Sequence, residues 1–116
     1  MTILAEKELR KIYKDFDDEQ FTPNGVDLRL KAVYLPENIS RGVFGITKGQ
    51  KIIPQLIEIP VLDNAYILNP GKKYFINCGH IDIPKDCAQF YYPRSTLMRA
   101  GLELYSAVGD AGYSGD

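Results

Sequence analysis

A chain of 116 residues with 45% hydrophobic and 25% charged residues is enough for one domain, and one of this length buries about 65% of the surface its unfolded form would expose. The formal net charge of −1 excludes a general attraction to nucleic acid or anionic lipid, so an anionic ligand has to be held by local donors. Lys7, Arg10 and Lys11 interrupt the N-terminal apolar residues and no long apolar window follows, so neither a signal segment nor a membrane span is expected, and the expected location is the cytoplasm.

In chain order, Leu9, Ile12, Tyr13 and Phe16 recur at helical spacing in TILAEKELRKIYKDF and predict an amphipathic N-terminal helix, with Thr2 as a candidate cap. Asp17, Asp18 and Glu19 read as its solvated end. Phe21-Thr22-Pro23-Asn24-Gly25 is a turn, because proline cannot continue a helix and Asn-Gly tolerates positive φ. A strand is expected from Val26 to Tyr34, with Val26, Leu28, Leu30 and Ala32 on one face and Asp27, Arg29 and Lys31 on the other. Short β-like runs follow at Val43–Ile46, Ile52–Ile53, Leu56–Leu62, Ala65–Leu68, Lys73–Asn77, Ile81–Ile83 and Ala88–Tyr92, punctuated by proline and glycine. That density of short strands predicts an all-β sandwich or barrel-like domain over residues 1–116 rather than βαβ units. Gly42, Gly45 and Gly49 read as bends, since no GK[ST] completes a phosphate loop.

Conventional catalytic sets are missing from the pattern. His80 is the single histidine, with no serine or cysteine arrangement and supporting acid legible around it, and is expected as a surface or core imidazole. Cys78 and Cys87 lack paired spacing and read as reduced, semi-buried thiols; with His80 they do not make structural zinc, and the zinc-deaminase signature is absent. Carboxylates, hydroxyls and arginines remain.

Those residues concentrate in the last stretch, Tyr91 to Asp116. Pro93 to Gly101 reads as a short internal helix with hydroxyls at its start and glycine at its stop. Ser95 and Arg99, four apart, share a helical face, and Thr96 and Arg94 add donors. The set has the chemistry of a phosphate cradle, and equally that of a capped surface helix with solvated arginines. Ser106 to Asp116 reads as a tight hairpin. Asp110, flanked by Gly109 and Gly112, has the chemistry to deprotonate a water, and Tyr113 that to lie against a sugar; a turn aspartate and a packed tyrosine fit the same residues. Asp27 suits Mg²⁺ held through water, or an exposed strand position.

Taken together these segments resemble the family of dUTP diphosphatases and dCTP deaminases. ILAEKELRKIY looks like the N-terminal helix of its deaminase-type members and PNGVDLRL like its first motif. IDIPKDCAQFYYPRSTLMRAGLEL looks like the strand and second motif, and SAVGDAGYSGD like the third. The resemblance implies a distorted jelly-roll (β-clip-like) fold with an N-terminal helix and one short internal helix, and a homotrimer with active sites between subunits. It implies Mg²⁺-dependent hydrolysis of dUTP to dUMP and pyrophosphate. Arg94, Ser95 and Thr96 match its phosphate-binding positions, and Arg99 matches an arginine of deaminase-type members. Asp27 matches the aspartate associated with the Mg²⁺-bound triphosphate, and Asp110 the one that activates water. Tyr113 matches the tyrosine on deoxyribose, and Val108 and Gly109 the backbone that reads the base. Zinc-independent dCTP deamination, and nucleotide binding without turnover, are the alternatives it leaves. The family's later motifs are expected beyond Asp116, so the 116 residues read as a single domain without them.

Overall fold

A computed structural model describes residues 2–37, 43–47 and 49–116. Among the described residues there are nine short strands, two α-helices and one 3₁₀ turn, so the chain is mostly strands with few helices, as expected. It divides into two compact units, residues 1–27 with 80–116, and residues 28–79.

In the first unit, helix α1 spans Glu6–Ile12. It is shorter than the apolar spacing suggests, and Ala5, not Thr2, is its N-cap, with no side-chain capping bond. Glu6 and Glu8 lie in its first turn and Arg10 and Lys11 in its last, each where the helix dipole favours its charge. Leu9 faces the core. Beyond the helix, Tyr13 stacks on Phe16 at 4.9 Å between ring centroids, and Phe16 approaches Phe21 at 6.4 Å. The acidic run is not simply solvated. Asp17 and Gln20 form a capping box around the 3₁₀ turn Asp18–Gln20, and Asp18 accepts from Arg10 at 2.7 Å. Strands β1 (Phe21–Thr22) and β2 (Gly25–Val26) pair antiparallel across the two-residue link Pro23-Asn24. Neither Asn24 nor Gly25 takes positive φ; Thr22 Oγ1 instead closes the turn on the Gly25 carbonyl at 3.0 Å.

The expected strand from Val26 to Tyr34 is broken. Residues 27–31 carry no ladder, and β3 begins only at Ala32. The Asp27 amide donates to the Gln20 carbonyl at 2.7 Å in register with the β1–β2 pair, so the start of the run belongs to that hairpin and only its end to β3. Alternation also misplaces the apolar face: Leu30 is exposed, and Ala32 and Val33 are buried consecutively.

The second unit is built on β3 (Ala32–Pro36), which lies between β6 (Leu56–Glu58) and β7 (Phe75–Asn77) in an antiparallel sheet. The register sets Leu35 opposite Ile57 and Val33 opposite Ile76. Strands β4 (Val43–Phe44) and β5 (Lys51–Ile52) form a separate pair. Of the run Ala65–Leu68 only a bridge from Ala65 to Leu62 survives. Gly49 has φ +90, as a bend requires, whereas Gly42 lies outside the described residues.

Candidate functional site

The predicted site residues all fall in the first unit, on three segments. The first is helix α2, Ser95–Arg99. Its end is a Schellman arrangement: Gly101 sits at φ +82, its amide reaches the Met98 carbonyl at 3.0 Å, and the Leu102 amide reaches Leu97 at 3.1 Å. Its start departs from expectation, because Arg94 is the N-cap in extended backbone and no side chain caps the helix. The hydroxyls of Ser95 and Thr96 are therefore not spent on capping. Among the described residues they make no hydrogen bond, nor does the Arg99 guanidinium an ion pair.

The second segment joins the first directly. Asp27, just past β2, accepts from Arg94 Nη1 at 2.8 Å. The arginine side chain is 72% exposed and the aspartate 26%, so the carboxylate is the anchored partner and the guanidinium points outward. Positions 67 residues apart in sequence thus meet.

The third segment carries Val108, Gly109, Asp110 and Tyr113. It is not a self-paired hairpin. Gly109 pairs with Gln89 through hydrogen bonds of 2.8 and 2.9 Å, while β9 (Ser114–Gly115) pairs with β8 (Ile81–Asp82). The two arms lean on different partners because a turn intervenes. The Tyr113 amide returns to the Asp110 carbonyl at 3.0 Å, and Gly112, at φ +79, donates to the Ile83 carbonyl at 3.1 Å. Buried Ile83 donates back to Tyr113 at 2.8 Å. Gly109 is needed for closeness: a Cβ there would sit 2.5 Å from Ile83 Cδ1. Tyr13 Oη donates to Gln89 Oε1 at 2.7 Å, which braces the residue that bridges to Gly109. Asp110 is exposed, and among the described residues its carboxylate has no partner. Val108 and the Tyr113 ring are exposed as well, the tyrosine hydroxyl donating to the Asp116 carbonyl at 3.0 Å.

The sequence reading missed two groups. Strand pairing of β8 with β9 surrounds His80 with Asp82, Ser114 and Asp116, neighbours that are not legible around it in the sequence. Nε2 lies 3.2 Å from Asp82 Oδ1 and Nδ1 lies 3.4 Å from Asp116 Oδ1. Ser114 is not presented as a nucleophile, because its hydroxyl donates to Asp82 at 2.6 Å. That bond, with the His80 contact, holds the Asp82 carboxyl below the usual carboxylate range. The imidazole remains exposed, as a surface histidine would. Gln20 is the second omission: it is buried, and its amide donates to the Asp27 carbonyl at 2.9 Å. A glutamine ending a run of acids carries no periodic signal, so only the fold reveals it.

Cys78 and Cys87 are free thiols, and burial pushes both above the ordinary thiol value, so neither is a ready nucleophile. Among the described residues no cluster of three histidines, cysteines or carboxylates is placed to hold a metal ion. A single carboxylate such as Asp27 fits Mg²⁺ only as an ion that arrives with phosphate oxygens and keeps its own waters. No helix among the described residues is long and apolar enough to cross a membrane.

A family model described as dCTP deaminase-like matches residues 2–116. The probable deoxyuridine 5′-triphosphate nucleotidohydrolase of Methanopyrus kandleri is 34% identical over 114 residues, covering 97% of this chain and 72% of that protein. The corresponding probable protein of Methanothermobacter thermautotrophicus is 35% identical over 116 residues, covering 97% and 71%. The deoxyuridine 5′-triphosphate nucleotidohydrolase of Methanocaldococcus jannaschii is 33% identical over 115 residues, covering 97% and 72%. No solved structure matches the chain.

Proposed function

The chain belongs to the dCTP deaminase-like family, and from that premise we propose that it is a dUTP diphosphatase, hydrolysing dUTP to dUMP and pyrophosphate. The observation that carries the reading is the Asp27–Arg94 pair at 2.8 Å, which joins the first and second motifs at one corner beside the free hydroxyls of Ser95 and Thr96. The names of the archaeal relatives support the substrate.

In this mechanism Arg94, Ser95, Thr96 and Arg99 bind phosphate oxygens, the guanidinium groups by charge-assisted bonds. Asp27 is the residue that would hold Mg²⁺ through water, and the ion when bound neutralises triphosphate charge. Asp110, exposed on its turn, takes the proton of a water as that oxygen bonds to the α-phosphorus. The bond from the α-phosphorus to the bridging oxygen breaks, and pyrophosphate leaves. Tyr113 lies against deoxyribose and leaves no room for a 2′-hydroxyl, while the backbone at Val108 and Gly109 reads the base.

The proposal extends to the assembly. Residues 1–116 form a single domain with a distorted jelly-roll fold that associates as a homotrimer. Support comes from Leu56 and Ile57, which alternate across β6 and are 45% and 57% exposed, so both faces of that strand show apolar surface that a partner subunit would cover. Free Cys78 and Cys87 support a reducing, cytoplasmic setting.

A second reading, zinc-independent dCTP deamination, is favoured by the description of the family model and by Arg99. One experiment separates them: pyrophosphate and ammonia are measured from dUTP and from dCTP with Mg²⁺ present. The diphosphatase releases pyrophosphate from dUTP. Ammonia from dCTP, or tight dUTP binding with neither product, overturns that assignment.

A further inference from the structure

Gln20 is the buried polar side chain among the described residues, 8% exposed, and both ends of its amide are used. Oε1 accepts from the Asp17 amide at 3.1 Å and completes the capping box of the 3₁₀ turn. Nε2 donates to the Asp27 carbonyl at 2.9 Å, and the Gln20 carbonyl accepts from the Asp27 amide at 2.7 Å. One residue therefore holds both backbone polar groups of Asp27, across the base of the β1–β2 hairpin. The carboxylate of that same Asp27 meets Arg94 at 2.8 Å.

The geometry points to Gln20 as a positioning residue of the triphosphate site, acting through Asp27 on Arg94. The inference rests on the phosphate-binding role given to Arg94 above. A glutamine is the side chain that suits the position, since it needs one acceptor for Asp17 and one donor for Asp27 in a place too buried for a charge. Ionised glutamate keeps the acceptor, loses the donor and puts a charge where it is poorly solvated; methionine keeps the length and loses both hydrogen-bonding groups. Either change removes the side-chain bond to the Asp27 carbonyl and leaves only the backbone bond from the Asp27 amide to the Gln20 carbonyl, and a small displacement of Asp27 swings the guanidinium it anchors. Phosphate recognition by a planar fork is sensitive to such a swing.

The test measures the dissociation constant of inorganic tripolyphosphate with Mg²⁺ for the full chain and for Gln20→Met, Gln20→Glu, Asp27→Asn and Gln20→Met/Asp27→Asn, alongside thermal unfolding of each. Gln20→Met and Gln20→Glu should each weaken binding about tenfold, and adding Gln20→Met to Asp27→Asn should cost less than about twofold more, because the two substitutions share one route. Gln20→Glu carries the test if Gln20→Met does not fold. A lower unfolding temperature with unchanged binding makes Gln20 a structural residue and overturns the inference, as do fully multiplicative losses in the double variant. Unmodified chain that binds no tripolyphosphate overturns it too. Pyrophosphate release from dUTP by the unmodified chain, measured in parallel, reports separately on the diphosphatase assignment.

Discussion

At the Asp27–Arg94 corner the polar groups are met from within the protein: the Asp27 amide and carbonyl by Gln20, and the carboxylate by Arg94. From Gly109 to Tyr113 the backbone is also held, Gly109 by Gln89 and the turn after it by Ile83, yet among the described residues the Asp110 carboxylate has no partner. The difference follows the two jobs proposed. A group that binds phosphate benefits from a guanidinium fixed before the ligand arrives, and an ion pair whose arginine side is exposed can be shared with that ligand. A group that takes a proton from water has to face water and keep its lone pairs unused. Rigid backbone with an uncommitted side chain serves the second purpose; rigid backbone with a committed side chain serves the first.

Substituting each side chain tests that division. Asp110→Asn, which removes the base with little change in shape, should lower turnover of dUTP by about 10²–10⁴-fold. KM and the unfolding temperature should stay close to those of the parent, since the turn is held by its backbone. Near-normal turnover would show that the free carboxylate is not the base. Arg94→Ala should act the other way, raising KM about 10–100-fold, the equivalent of a charge-assisted bond of about 1.5–3 kcal/mol, with a smaller change in kcat. Arg94→Lys should recover little, because a point charge replaces a planar fork. Steady-state kinetics on dUTP measure all three, and a loss confined to kcat in Arg94→Ala would erase the contrast between the two regions.

The corner was legible in the sequence and its wiring was not. Asp27 and Arg94 stand in local patterns that name them, and the pair brings those two patterns into contact. Gln20 stands in no pattern, because its value depends on a hairpin that turns the chain back onto it. Period-two alternation through Ala32 overpredicted a single strand, because side-chain spacing does not say which partner each half of the run meets: Val26 pairs with Phe21, and Ala32 with Asn77. The turn shows the converse. Its glycines announced tight backbone, but the partners at Gln89 and in β8 lie 20 to 34 residues upstream, too far for local spacing to show. His80 reads as isolated in sequence for that reason. Its acid and serine arrive only when Asp82 and Ser114 pair across β8 and β9.

Gly109 tests how much the turn relies on close approach. In Gly109→Ala the new methyl would sit 2.5 Å from Ile83 Cδ1, 2.9 Å from the Tyr91 hydroxyl and 3.2 Å from Gln89 Cβ. Ile83 is buried and cannot step aside freely, so a loss of about 1–3 kcal/mol of stability is expected. Denaturant unfolding measures it. A neutral outcome would mean that the bridge to Gln89 yields, and that the turn is less fixed than the corner.

The smallest effect belongs to the outer edge of the turn, where Ser114 follows Tyr113. Asp82 is held below the usual carboxylate range first by the Ser114 hydroxyl and then by His80, whose other nitrogen faces Asp116. A carboxylate with a depressed folded-state value adds stability that is present above its unfolded value and is lost as pH falls through the folded one. Ser114→Ala removes the larger cause. The stability difference between parent and variant should therefore be widest near neutral pH and should narrow on acidification through and below the ordinary carboxylate range. Both groups are exposed, so the difference is small and shrinks with salt. Unfolding midpoints across a pH series at low ionic strength measure it. A gap that stays constant with pH would reduce Ser114 to a packing residue, and one that widens in acid would reverse the sign of its link to Asp82. Either result would leave the turn supported by its backbone alone, which is the sharper form of its contrast with the side-chain-locked corner.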